Sequence, residues 1–130
     1  MPEPTAELDA IAREVVDSAF MLHSTLGPGL LESVYNDFLS FEIESRGLPI
    51  ERELALPVFY RGQRRDVGFR MDIVVAKSVV VEIKAVEKLL PVHSAQLLTY
   101  LKLSHHHLGL LINFNVPLIK HGIRRLISTR

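Results

Sequence analysis

Three charged side chains stand where charge is costly. In the segment from Arg70 to Val86, Glu82 and Lys84 are two residues apart within a run rich in Val and Ile. Such a run reads as a buried strand, and strand side chains alternate, so Glu82 and Lys84 share a face. Charges are rarely placed there unless paired or bound to a metal. Asp72 lies ten residues before Glu82. If Ala76-Lys77-Ser78 is a three-residue loop and Val75 pairs with Val79, Asp72 falls directly opposite Glu82, with Cβ atoms roughly 4.5–5.5 Å apart. A two-residue loop would shift the register and break this alignment. Two carboxylates that close repel, and a divalent cation between them removes the conflict. With no cysteine in the chain, two carboxylates and room for water suit Mg²⁺ or Mn²⁺. Such an ion can polarise a phosphoryl oxygen and help generate a hydroxide nucleophile. Lys84 beside it would stabilise developing negative charge or orient the attacking water. The competing reading is a buried structural ion pair between Glu82 and Lys84, with Asp72 as a turn or rim residue.

A second group lies on helices. His93, Gln96 and Tyr100 recur at i, i+3 and i+7, on one face of a helix whose other positions are mostly leucine. Gln96 could bind a metal water or a substrate phosphate. His93 could contact phosphate or accept a proton, against the alternative of an ordinary helix-start histidine. Tyr100 is either a site residue or a core residue with its hydroxyl satisfied. Glu32 follows Gly27-Pro28-Gly29 in the first turn of a helix, where the helix dipole favours a carboxylate without any function. Its neighbour Tyr35 is three residues on, and a place on the flank of the apolar stripe would turn Glu32 toward the sheet. The glycine turn lacks the arrangement of a phosphate loop. No aromatic stacking surface is evident in the sequence.

The elements that must position these residues are legible. Leu8, Ile11, Ala12, Val15, Ala19 and Leu22 form one stripe, so residues 6–24 read as an amphipathic helix ended by Leu26-Gly27-Pro28-Gly29. A second helix is expected from about Leu30 to Arg46, with the stripe Leu31, Val34, Tyr35, Phe38 and Ile43, and Gly47 at its end. Residues 50–60 read as a strand, with Pro57 arguing for an edge or bulge. Arg61-Gly62 is a turn, and residues 64–75 and 79–86 read as two further strands. Pro91 opens a helix, residues 107–113 a buried strand, and residues 123–127 a last edge strand. The sum is a mixed α/β domain with helices covering a central sheet.

Length and composition agree. The 130 residues are 48% hydrophobic, which makes residues 1–130 one domain with a real core. No apolar run is long enough to span a bilayer, and the acidic start lacks the features of a secretory signal, so no membrane partner and a cytoplasmic location are expected. Basic and acidic residues balance at 15 each, yet a local basic surface can still bind a polyanion. Two basic groups stand out, Arg61, Arg64, Arg65 and Arg70, and Lys120, Arg124, Arg125 and Arg130. They are expected to form a positive rim near the site, with Arg70 a candidate substrate contact.

These residues also carry a family likeness. The chain resembles the GxxExxY proteins, a bacterial and archaeal group within the PD-(D/E)XK nuclease superfamily. The naming motif is Gly29-Leu30-Leu31-Glu32-Ser33-Val34-Tyr35, and the likeness continues through Val81–Lys88, Ala95–Leu101 and Leu110–Asn115, roughly residues 8–127 in all. The resemblance implies a restriction-endonuclease-like core, a central mixed sheet flanked by helices. It implies that Glu32, Asp72, Glu82, Lys84 and Gln96 form a catalytic set, with Asp72, Glu82 and Glu32 serving a Mg²⁺ or Mn²⁺ ion. Tyr35, His93, Tyr100 and Arg70 are then possible substrate contacts. One departure is Met71, where the superfamily has a proline. The function expected is a metal-dependent phosphodiester hydrolase, a nuclease acting on DNA before RNA. The alternatives are a non-catalytic nucleic-acid or protein interaction module on the same fold, and a hydrolase of nucleotides or small phosphoesters. So short a chain also suggests a partner subunit, a symmetric copy giving a homodimer.

Overall fold

The computed structural model describes residues 4–66 and 68–129. Helix α1 runs from Ala6 to Leu26. Thr5 caps it by accepting a hydrogen bond from the Leu8 N–H, and acidic Glu7 and Asp9 sit in the first turn, where the dipole favours them. Helix α2 spans Glu32–Ser45 and buries Tyr35, Asn36, Leu39, Ser40 and Ile43. This corrects the expected stripe. Leu31 is 74% and Phe38 48% exposed, so the buried face is rotated toward Leu39 and two polar residues, and the periodicity of the aromatic residues misleads.

The strand region is more divided than the sequence suggests. Strand β1 (Ile50–Ala55) stops before Leu56-Pro57, and a short hairpin follows, β2 (Val58–Tyr60) and β3 (Gln63–Arg65). Proline cannot donate to a ladder, which explains the break. Strand β4 begins only at Arg70 and ends at Val75. Val67, inside the expected strand 64–75, lies outside the described residues, as does Arg130. Strand β5 (Val79–Lys84) leads through helix α3 (Pro91–Ser104) to β6 (Leu108–Asn113), and β7 (Ile123–Ile127) closes the sheet after a 3₁₀ turn at Ile119–Gly122.

The main sheet has five strands in the order β1-β4-β5-β6-β7. Only β5 and β6 pair in parallel, joined by the α3 crossover, and the other neighbours are antiparallel. Two cores flank the sheet. Ile73, Val81, Ile83 and Leu110 pack toward α1 and α2, whereas Val74, Val80, Leu111 and Leu97 pack toward α3. All of β6 is buried, as expected for a strand covered on both faces. This is a mixed sheet flanked by helices, the architecture of a restriction-endonuclease-like core. Among the described residues no helix is long and apolar enough to cross a membrane.

Candidate active site

The hairpin β4–β5 meets the condition set by the sequence. Val75 pairs with Val79, Val74 with Val80 and Ile73 with Val81. Ala76 and Lys77 of the connecting loop both have positive φ, near 52° and 55°, and the Ser78 N–H bonds to the Val75 carbonyl at 2.9 Å. Continuing that register places Asp72 opposite Glu82, where side chains take over from the backbone ladder. The Asp72 N–H donates to Glu82 Oε1 at 3.0 Å, and the Ile83 N–H donates to Asp72 Oδ2 at 2.8 Å. Each carboxylate is thus oriented by a backbone amide of the other strand through one of its two oxygens. Orientation of a ligand by outer hydrogen bonds is what a metal site requires.

The electrostatics are those of two buried like charges. Burial, then the charge of Asp72, pushes the Glu82 carboxyl up to about 8, against the lowering effects of the Asp72 amide and Lys84. Asp72 is raised as well, chiefly by burial and against the hydrogen bond from Ile83. A cation between them would reverse both shifts. Lys84 is half-buried at the end of β5. The ion pairs between described residues do not include Lys84 with Glu82, so the competing reading of a direct Glu82–Lys84 bridge does not describe this geometry. Lys84 acts on both carboxyls through its field alone.

Glu32 reaches the same end of the sheet. It is the first residue of α2, and its Oε2 accepts the Ala85 N–H at 3.3 Å, one residue beyond Lys84. Among the described residues no three His, Cys, Asp or Glu side chains group closely enough to hold a metal ion. Glu32 stands at the edge of the Asp72–Glu82 pair, with one oxygen on the Ala85 amide, a place from which it would support an ion through water. Two carboxylates remain a fitting donor set for Mg²⁺ or Mn²⁺, since Mg²⁺ is held by one or two carboxylates and keeps water or phosphate oxygens for the rest of its shell.

The glycine turn explains the spacing of Gly29, Glu32 and Tyr35. Gly29 has φ near 102°, a conformation L side chains rarely adopt. Tyr35 is fully buried and stacks on Phe114 with ring centres 4.6 Å apart. Its hydroxyl donates to the Gly27 carbonyl at 2.6 Å and accepts from the Leu30 N–H at 3.2 Å. Tyr35 is thereby a staple that fixes the turn before Glu32. Tyr35→Phe is expected to cost about 1 kcal/mol, the usual net worth of a hydrogen bond, with most of the loss visible as a lower urea midpoint. An unchanged midpoint would show that the turn holds without the hydroxyl.

Helix α3 supplies the remaining candidates. Tyr100 is buried, with its ring 5.8 Å from that of Phe69, and its hydroxyl is raised by burial and by the charges of Glu82 and Asp72. The hydroxyl therefore lies within the field of the two carboxylates. Gln96, half-buried, lies one turn earlier on the same face. His93 uses Nδ1 to accept the Leu90 N–H at 3.0 Å, which caps the helix start and assigns that nitrogen a structural task. Arg70 is exposed and donates to the Glu53 carbonyl at 3.5 Å.

Two residues escaped the sequence reading. Glu53 falls opposite Asp72 when the β1–β4 register is continued. It has φ near 52° in mid-strand, and its charge raises both Asp72 and Glu82. Asn113, paired with Lys84 across β5 and β6, clamps the chain just beyond the lysine. Its Oδ1 accepts the Val86 N–H at 3.0 Å and its Nδ2 donates to the Val86 carbonyl at 2.9 Å. The expected positive rim is only partly assembled. Arg61, Arg64 and Arg65 are on the β2–β3 hairpin, but Arg125 pairs with Asp9 and Lys120 lines a cavity of about 530 Å³ with His23 and Pro28. Of the described residues in the C-terminal group Arg124 alone is in register with Glu82, through Leu111, two strands or roughly 10 Å away.

A family model of the PD-(D/E)XK nuclease superfamily matches residues 9–126. No curated protein and no solved structure matches the chain.

Proposed function

Because the chain belongs to the PD-(D/E)XK nuclease superfamily, we propose that it is a Mg²⁺- or Mn²⁺-dependent phosphodiester hydrolase acting on DNA. The GxxExxY group is its place within the superfamily on this reading, carried by Gly29, Glu32 and Tyr35. The observation that supports it most is the reciprocal bonding of Asp72 and Glu82 to each other's strands, which holds two buried carboxylates side by side within the field of a lysine.

Asp72 and Glu82 would hold the ion. When bound, the ion would polarise a phosphoryl oxygen and ease deprotonation of an attacking water. Lys84 orients that water and stabilises charge developing on the phosphate. Gln96 hydrogen-bonds a phosphate oxygen or a water from the facing helix. Glu32 holds the Ala85 amide, and with it the end of β5, and supports the site through water.

One observation favours a second reading. The same reciprocal bonds fasten β4 to β5, a structural task that an interaction module on this fold would equally need. Metal decides between them. Titration calorimetry with Mn²⁺ is expected to show binding to wild type that Asp72→Ala and Glu82→Ala both abolish, together with loss of oligonucleotide cleavage. Equal binding by wild type and both variants would leave the module reading standing and end the enzyme proposal.

A further inference from the structure

The hairpin β2–β3 forms a two-stranded sheet of its own. Its tip is tight, with Arg61 at φ near 50° and Gly62 at φ near 77°, the two left-handed residues of a type I′ turn. The register sets Phe59 opposite Arg64 and Val58 opposite Arg65, with Tyr60 opposite Gln63. Phe59 and Arg64 therefore share one face, and Tyr60, Gln63 and Arg65 the other. Phe59 is 58% and Tyr60 72% exposed. The Arg64 guanidinium lies 5.8 Å from the Phe59 ring centre and also pairs with Asp66, whereas Arg61 and Arg65 are exposed cations without an acidic partner among the described residues, Arg65 donating to the Arg64 carbonyl at 2.9 Å.

The hairpin is rooted at the site. It leaves the main sheet where Ala55 pairs with Arg70, two residues from Asp72. Phe69 at its base lies against Tyr100, with ring centres 5.8 Å apart, and the Tyr100 hydroxyl is within the field of the carboxylates. We propose that this hairpin is an arm that holds a single-stranded polynucleotide beside the Asp72–Glu82 pair, with Tyr60 stacking on a base, Arg61 and Arg65 contacting phosphates, and Phe59 backing the arm from its other face. The inference rests on the phosphodiester-hydrolase reading and narrows its substrate to chains with an unpaired stretch, such as an overhang, flap or gap.

The chemistry of the arm selects that partner. An unpaired strand offers base faces and an anionic backbone together, and aromatic side chains in a basic setting are the usual answer to it. A duplex hides its base faces and offers mainly phosphates at its surface. An apolar protein surface would match the Tyr60 ring but not the guanidiniums beside it.

Fluorescence anisotropy in metal-free buffer tests the arm apart from catalysis. The probes are labelled single-stranded DNA, single-stranded RNA, blunt duplex and duplex with an overhang. Tyr60→Ala is expected to weaken binding to the single-stranded and overhang probes about tenfold, with little change on blunt duplex, and Tyr60→Phe to restore it. Arg65→Ala is expected to flatten the salt dependence by about 0.7 in slope, one phosphate contact on a single strand. Equal effects of Tyr60→Ala on duplex and single strand, or no effect on either, would overturn the proposal. So would a change from dimer to monomer in light scattering with affinity unchanged, since the ring would then face a second copy. The two readings fail separately. Aromatic-dependent binding without cleavage by wild type would end the hydrolase reading and leave the arm, while blunt-duplex cleavage with no dependence on Tyr60 would do the reverse.

Discussion

Lys84→Ala should lower turnover about 10²–10³-fold, the usual cost of removing one preorganised electrostatic donor, while fold and metal binding persist. The ammonium is useful chiefly when charge develops on phosphate or attacking water, so the loss should fall on kcat more than on substrate affinity. The geometry removes the main objection. A directly paired buried lysine would take roughly 3–5 kcal/mol of stability with it, but Lys84 acts on Glu82 and Asp72 only through its field. Its removal is expected to shift stability by less than about 1.5 kcal/mol. Thermal unfolding, Mn²⁺ titration and single-turnover cleavage, run on the same preparations, check the three parts. Stability falling in step with activity would make Lys84 a scaffold residue.

The second large effect belongs to Glu82. Its carboxyl is pushed from an ordinary 4.5 up to about 8 by burial and by Asp72. Between those values the folded chain keeps a proton that the unfolded chain has lost. Unfolding then releases a proton, so stability must fall as pH rises through that window, and the penalty is complete above about pH 8. At about 1.36 kcal/mol per unit, it is on the order of 2–4 kcal/mol once coupling to Asp72 is discounted. Glu82→Gln keeps an oxygen for the Asp72 amide and removes the charge. We expect the metal-free variant to be more stable than wild type at pH 9, with a flatter pH profile, and to lose all stabilisation by Mn²⁺. Melting curves from pH 5 to pH 9, with and without Mn²⁺, give the readout. A metal-free wild type whose melting does not weaken toward pH 9 would refute the assigned shift.

Much of the fold was legible because its signals are local. Helical stripes, the Gly27-Pro28-Gly29 stop, Pro91 and the all-apolar strand 108–113 each depend on near neighbours in sequence. The register of Asp72 against Glu82 was legible too, because a short loop fixes it. What the sequence hid is non-local. Glu53 meets Asp72 only through the β1–β4 pairing, which no nearby residue specifies, and Asn113 meets Val86 only through the parallel crossover. The hairpin at 58–65 was masked by reading its strands as parts of longer ones, although Pro57 marked the break. Phe59 and Tyr60 consequently went unnoticed as an exposed surface. Tyr35 and His93 were legible as polar groups near the site, but only their partners, Gly27 and Leu30 for one and the Leu90 amide for the other, reveal work that is structural.

At the mouth of the β4–β5 fork the last rungs of the sheet are made by side chains. The amides of Asp72 and Ile83 are shielded by carboxylate oxygens, whereas those deeper in the hairpin are shielded by the partner strand. In hydrogen-exchange terms the fork is therefore a gauge built into the backbone. Local opening there is expected to follow the ionisation of the two carboxylates, and opening deeper in β5 the stability of the whole domain. The chain carries two amide positions that report the state of its site, with no label and no substrate.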